Sequence, residues 1–190
     1  MLFYVKDCFN ANEVQFKTDF PEQVWCKVKC NGNTELFIGV CYRTPSENVY
    51  GYGIHASVRE LVSEISNKNF VLFGDFNYRG IDWASNGCDS SVSAEARFFF
   101  DCINDCCITQ HVDFLTTDKS ILDLFFSGEP DLVCNVQDLG NFSSSDHKLI
   151  FCNLDIAAKT ATGNKTKYDY NRMYVHGMKE ELSLKTGHLF

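Results

Sequence analysis

Phe70-Val71-Leu72-Phe73-Gly74-Asp75-Phe76-Asn77 is an apolar strand that runs straight into Gly-Asp-Phe-Asn. Side chains alternate along a strand, so Asp75 and Asn77 are expected to share one face while Phe76 points back into the core. The arrangement lifts a carboxylate and a carboxamide onto the rim of a buried sheet. Such a pair suits a metal-assisted phosphate-ester site: the Asp can bind a divalent cation or activate water, and the Asn can donate to a phosphate oxygen. Taken alone, the segment also reads as a strand followed by an ordinary Asp/Asn turn.

Working outward, apolar residues at Ile54, Val58, Leu61, Val62 and Ile65 have helical spacing and predict a helix over 53–66. Before it, 24–30 alternates Val24, Cys26, Val28 and Cys30 against Trp25, Lys27 and Lys29, as a half-solvated strand does. Asn31-Gly32-Asn33 signals a hairpin turn, and 36–42 is the more uniformly apolar return strand. Residues 2–6 are a further strand candidate. After the central strand, 79–92 reads as a Gly/Ser/Asn/Asp-rich loop and 93–107 as a second helix. Strands are expected at 122–126, 132–136 and 148–154. Strands interleaved with two helices predict an α/β sandwich with mixed sheets.

The chain has 190 residues, of which 45% are hydrophobic and 14% aromatic, enough for one domain with a sizeable core. No apolar run approaches the roughly 20 residues of a membrane-spanning helix, and the first residues lack the pattern of a signal peptide. Net charge is −8, from 17 basic and 25 acidic residues, so the overall balance lends no electrostatic support to nucleic-acid binding. Ten Cys are present. Cys26, Cys30, Cys41, Cys134 and Cys152 fall in expected strands, where Cys acts as a small buried hydrophobe. With no secretion signal, reduced thiols are the default. Cys102, Cys106, Cys107 and His111 fit no standard zinc spacing.

Three more segments carry chemistry. Tyr42-Arg43-Thr44-Pro45 ends a buried strand, where either the Tyr hydroxyl or the Arg could hold a phosphate. Ile121-Leu122-Asp123-Leu124 places one Asp in an apolar run, which is costly without a partner; a His is the economical one. The alternative is an Asp123 at an exposed strand start. Ser145-Asp146-His147-Lys148 places an Asp-His pair at the mouth of the last strand, one expected to face a metal and the other a phosphate.

The ordered set GDFN, ILDL and SSSDH, with Tyr-x-x-Pro upstream, resembles the endonuclease/exonuclease/phosphatase superfamily, in the flavour of non-LTR retrotransposon endonucleases. The resemblance spans roughly residues 2–155. It implies a two-sheet α/β sandwich of the DNase I type and a Mg²⁺- or Mn²⁺-dependent phosphodiesterase acting on DNA. It implies that Asp75 orients and activates the attacking water and that Asn77 holds that water or the phosphate. Tyr42 would contact the scissile phosphate, and Asp146 would bind the metal or polarise its neighbour. His147 would donate to the phosphate, held in orientation by Asp123.

The family opens with a strand bearing an Asn and a second bearing a metal-binding Glu. Neither is assignable here, since Glu13 and Glu22 stand in loop-like contexts. The domain at 1–156 is therefore expected to lack its first strands, leaving an exposed edge. Residues 157–190 resemble the linker and short helix that lead to a reverse transcriptase, with an amphipathic helix at 168–183. Two rivals stand beside the nuclease reading: an inactive or merely binding remnant, and a phosphatase of small phosphoesters. Action on DNA implies a nuclear location, although no basic localisation run is present.

Overall fold

The computed structural model describes residues 2–157, apart from 19, 21, 46–52 and 91. The helix expected at 168–183 lies outside the described residues. The strands are β1 (Ala11–Val14), β2 (Gln23–Lys29), β3 (Glu35–Tyr42), β4 (Phe70–Asp75), β5 (Ile81–Asp82), β6 (Gly87–Cys88), β7 (Thr109–Gln110), β8 (Asp123–Ser127), β9 (Val133–Asn141) and β10 (Lys148–Leu154). Two helices, α1 (Gly53–Ile65) and α2 (Ala94–Asp105), join them. A six-stranded sheet has the order β1-β2-β3-β4-β8-β7. β3 and β4 run parallel, with α1 as the crossover, and the other neighbours are antiparallel. β9 and β10 form a separate two-stranded sheet.

The two faces of the large sheet follow from strand parity. Cys41, Phe70, Leu72, Leu124 and Phe126 point to the side that α1 and α2 cover with Leu61, Val62, Ile65, Phe99 and Ile103. Leu36, Val71 and Phe125 point to the other side, where Leu132, Val133, Ile150 and Leu154 of the β9–β10 region pack. The result is the expected α/β sandwich of two sheets. α2 starts where Ser93 accepts a hydrogen bond from the Ala96 amide at 3.1 Å, a side-chain N-cap. Asn31-Gly32-Asn33 turns the β2–β3 hairpin as a 3₁₀ turn, with Gly32 at a φ of 73° that glycine adopts without steric cost.

Phe76 does turn into the core. Its ring stacks on Phe99 of α2 at 5.3 Å and meets Phe126 edge-on at 5.4 Å. Burying a side chain of this size contributes about 1.5–3 kcal/mol, so this contact anchors the end of β4 to the helical layer.

Four expectations are corrected. Residues 2–6 form no strand, because Leu2 and Tyr4 are 78% and 82% exposed; the edge strand is β1, further along. Glu13 belongs to β1 rather than to a loop, three strands away from β4. The loop 79–92 contains the short β5–β6 hairpin. Cys134 is exposed, because one face of the β9–β10 sheet is open to solvent; Cys26, Cys30 and Cys41 are buried as expected. Among the described residues no helix is long and apolar enough to cross a membrane.

Candidate active site

Register across the large sheet sets three side chains in one row. Tyr42 of β3 pairs with Asp75 of β4, and Asp75 pairs with Asp123 of β8. Directly paired residues project from the same face. That is the face covered by β9 and β10, so the loop between them overhangs the row. Phe142 and Ser145 close the loop through a backbone hydrogen bond of 3.0 Å, and Ser145 Oγ accepts from the His147 amide at 3.1 Å. His147 then reaches down. Its Nδ1 donates to Asp123 Oδ2 at 2.8 Å.

Asp75, Asp123 and His147 each present one ligand atom within 4.8 Å of the others, and all three are half-buried. Asp146, expected as a metal ligand, lies outside this group. It is exposed and occupies the loop ahead of β10 rather than the strand, so the strand alternation expected for Asp146 and His147 does not apply. Its charge still acts on the His147 ring. Tyr42 remains 41% exposed at the end of the row, with its amide on the Glu22 carbonyl at 2.9 Å.

The Asp75–Asn77 turn departs from strand geometry. β4 ends at Asp75, and Asn77 adopts a φ of 54° in the left-handed region, where Asn is the most tolerated non-glycine residue together with Asp. The turn brings the Asn77 amide N–H to Asp75 Oδ1 at 3.2 Å and Nδ2 to Oδ2 at 2.8 Å. Nδ2 also donates to the Arg43 carbonyl at 2.9 Å. Both side-chain amide hydrogens of Asn77 are thus engaged. Its Oδ1 is left as an acceptor for water, and no donor is left for a phosphate. Arg43 is likewise unavailable to a phosphate: it is 5% exposed and its guanidinium is turned inward.

Electrostatics follow the packing. Burial, and then the Asp123 charge, raise the Asp75 carboxyl above its usual range, against lowering by His147 and the two Asn77 hydrogen bonds. For His147, burial favours the neutral ring. The Asp123 hydrogen bond and charge, with Asp75 and Asp146, outweigh it and raise the imidazole above its ordinary value. A carboxyl and an imidazole both pushed up are perturbations of the kind found where protons move.

Thr116 is a residue the sequence reading missed. Fully buried, it accepts at Oγ1 from the Leu122 and Asp123 amides, both at 3.0 Å. Its carbonyl accepts from the Lys148 amide at 3.0 Å. Thr116 therefore ties the Asp123 strand to the strand that follows His147. Nothing in Leu115-Thr116-Thr117 marks it beforehand, since a buried hydroxyl is recognised only by what surrounds it.

A groove of about 500 Å³ is lined by Tyr78, Trp83, Leu115, Lys119 and Ile121 among others, and by none of Tyr42, Asp75, Asn77, Asp123 and His147. Tyr78 directly follows Asn77, and Ile121 precedes Asp123 by two residues.

The sequence profile of the endonuclease-reverse transcriptase family matches residues 36–151, the stretch that contains every residue of the row and its overhanging loop. This chain belongs to that family. Its superfamily is the endonuclease/exonuclease/phosphatase group, of the retrotransposon endonuclease type. Among solved structures, the endonuclease domain of TRAS1, a telomere-specific non-LTR retrotransposon, superimposes with a TM-score of 0.57 at 15% identity. The match covers 77% of this chain and 69% of that one, and at this identity it shows the shared fold. The human Nocturnin catalytic domain gives a TM-score of 0.48 at 14% identity, covering 81% of this chain and 62% of that one. An endonuclease/exonuclease/phosphatase family protein from Bacteroides thetaiotaomicron gives 0.44 at 15%, covering 82% and 65%. No curated protein matches the sequence.

Proposed function

We propose that this chain is a divalent-metal-dependent phosphodiesterase that cleaves DNA by attack of water on a backbone phosphate. The observation carrying the proposal is the convergence of Asp75, Asp123 and His147 from two strands and a loop to within 4.8 Å.

The donor set fits Mg²⁺ or Mn²⁺. A small hard cation is commonly held by one or two carboxylates together with substrate phosphates, and Asp75 and Asp123 offer two. His147 Nδ1 is committed to Asp123, which leaves oxygen donors in the majority. When bound, the cation supplies positive charge that polarises the phosphate.

The residues divide the remaining work. Asp75, its basicity increased by burial, takes a proton from the attacking water. Asn77 Oδ1 accepts the second hydrogen of that water and fixes its direction. His147, oriented by Asp123, whose hydrogen bond and charge favour the protonated ring, presents Nε2–H to a non-bridging phosphate oxygen and stabilises charge as it accumulates there. Tyr42 supports the same phosphate from the exposed end of the row. A P–O ester bond breaks as the new one forms, leaving a phosphomonoester and an alkoxide that takes a proton from solvent to become a free hydroxyl, while Asp75 returns its proton to solvent.

The family match to endonuclease-reverse transcriptases favours nucleic acid over a small phosphoester. A nuclear site of action accords with that substrate.

Nicking of supercoiled plasmid by the purified chain in Mg²⁺ or Mn²⁺ tests the proposal. Asp75→Ala and His147→Ala are expected to abolish it, and EDTA to stop it. Absence of nicking in either metal, or nicking by the two variants equal to that of wild type, would favour the inert remnant. Competition between duplex DNA and a small phosphodiester decides the substrate class.

A further inference from the structure

Arg43 touches each residue of the turn that carries the proposed base. Its amide donates to the Asp75 carbonyl at 2.9 Å, and its carbonyl accepts from Asn77 Nδ2 at 2.9 Å. Its Nη1 donates to the carbonyls of Phe76 at 3.3 Å and Asn77 at 3.4 Å. Its guanidinium carbon lies 4.0 Å over the Tyr78 ring. The side chain is 5% exposed, and Nε is buried without any partner. Among the described residues Arg43 forms no ion pair.

A buried cation without a carboxylate is a costly element of a fold. An apolar chain of similar length would fill the same space without that cost. What an apolar chain cannot do is hold two successive carbonyls at a point where the backbone turns left-handed. Lys cannot reproduce it either, since it lacks the planar fork and the flat face that lies on Tyr78.

We infer that Arg43 is a positioning residue: it clamps the carbonyls of Phe76 and Asn77, holds Asn77 in its left-handed conformation, and so keeps the Asn77 carboxamide against Asp75. Arg43 acts through Asn77 and meets neither metal nor phosphate. For its effect on rate the inference rests on the phosphodiesterase reading above; for its effect on Asn77 it does not.

The full chain carrying Arg43→Met tests this, with Arg43→Lys as a second variant in case the first does not fold. Two readouts are taken. The first is the side-chain amide pair of Asn77 in a ¹⁵N–¹H correlation spectrum, assigned with Asn77→Ala. Wild type is expected to show two separated, slowly exchanging protons, which collapse towards free-amide positions in both Arg43 variants. The second is steady-state nicking. A displaced catalytic group costs on the order of 10- to 100-fold, so kcat is expected to fall by about that factor while KM stays within about twofold. In an Asn77→Ala background, Arg43→Met is expected to cause no further loss, because the two residues act as one unit. Unchanged Asn77 amide protons in a folded variant overturn the inference, and so do losses that multiply in the double variant. If wild type does not nick, the phosphodiesterase reading fails, and the amide protons alone still decide the role of Arg43.

Discussion

His147 Nδ1 lies 2.8 Å from Asp123 Oδ2, joining a loop to a strand 24 residues earlier. The contact occupies Nδ1, so under the proposed phosphodiesterase reading it leaves Nε2 to face a phosphate. His147 has a folded-state value raised above the ordinary one, near 6.5. Its contribution to stability is therefore fully present below about pH 6.5 and is lost as pH rises through the higher folded value. Melting temperatures between pH 5 and 9 are expected to show this decline in wild type and a flatter profile in Asp123→Asn. The same variant is expected to lose about 10- to 100-fold in activity, as for a group that orients another. His147→Ala is expected to lose about 10²- to 10⁴-fold.

Asn77 holds the Asp75 carboxylate with two hydrogen bonds that favour its charged form. Removing the side chain in Asn77→Ala raises the Asp75 carboxyl further. The acid limb of the rate profile is then expected to move to higher pH, with a drop in kcat of about 10²-fold. An acid limb that stays in place while the rate falls would show that Asn77 does not act through Asp75.

Asp75 itself destabilises the apo fold at neutral pH. Its carboxyl is raised by burial and by Asp123, so its ionised form is disfavoured in the folded state. Stability on its account is greatest below the unfolded value of about 3.9 and is lost as pH rises through the folded one. Asp75→Asn, measured in EDTA, is expected to melt higher than wild type at pH 7. The gain should shrink towards pH 3. This is the trade expected of a residue retained for chemistry.

Thr116 Oγ1 satisfies two backbone amides at the start of β8. Thr116→Val keeps the volume and deletes the acceptor, leaving buried donors without a partner. A loss of about 1–3 kcal/mol in unfolding free energy is expected, with restoration by Thr116→Ser. Chemical denaturation of the three proteins checks this, and a Val variant as stable as wild type contradicts it.

Gly74 sits where β4 passes β3, opposite Cys41. A methyl group there would run into the Cys41 carbonyl oxygen. That atom is backbone and cannot swing aside, so Gly74→Ala has to part the strands that carry Tyr42 and Asp75. Destabilisation of about 3 kcal/mol is expected, together with loss of nicking. An alanine variant of native stability and activity would show that the row tolerates a wider strand spacing.

Much of this site was legible in one dimension. An apolar strand ending in Gly-Asp-Phe-Asn announces a carboxylate at a sheet rim, because strand alternation is local geometry. Asp123 asked for a partner, because a carboxylate inside Leu-Asp-Leu-Phe-Phe is costly unless paired, and His147 is where the structure places it. The helices were readable from their periodicity. Asn77 was misjudged, because its shared face with Asp75 assumed a strand that stops two residues earlier. The alternation expected of Asp146 and His147 does not hold, because adjacent residues alternate only on strands and both lie ahead of one. Cys134 looked like a core residue because a short apolar strand does not declare whether both of its faces will be covered.

By itself, then, the sequence determined the central strands, the two helices, most of the core positions and the chemical inventory of the site, since propensity, periodicity and the cost of burying charge act over a few residues. Only the tertiary structure decided which of those groups meet. The row of Tyr42, Asp75 and Asp123 is a consequence of strand register. The arrival of His147 depends on how the β9–β10 sheet lies over the larger one. The roles of Thr116 and Arg43 exist only because distant backbone amides and carbonyls converge on them. Register, layer packing and the satisfaction of buried polar groups are long-range relationships, and no local pattern encodes them.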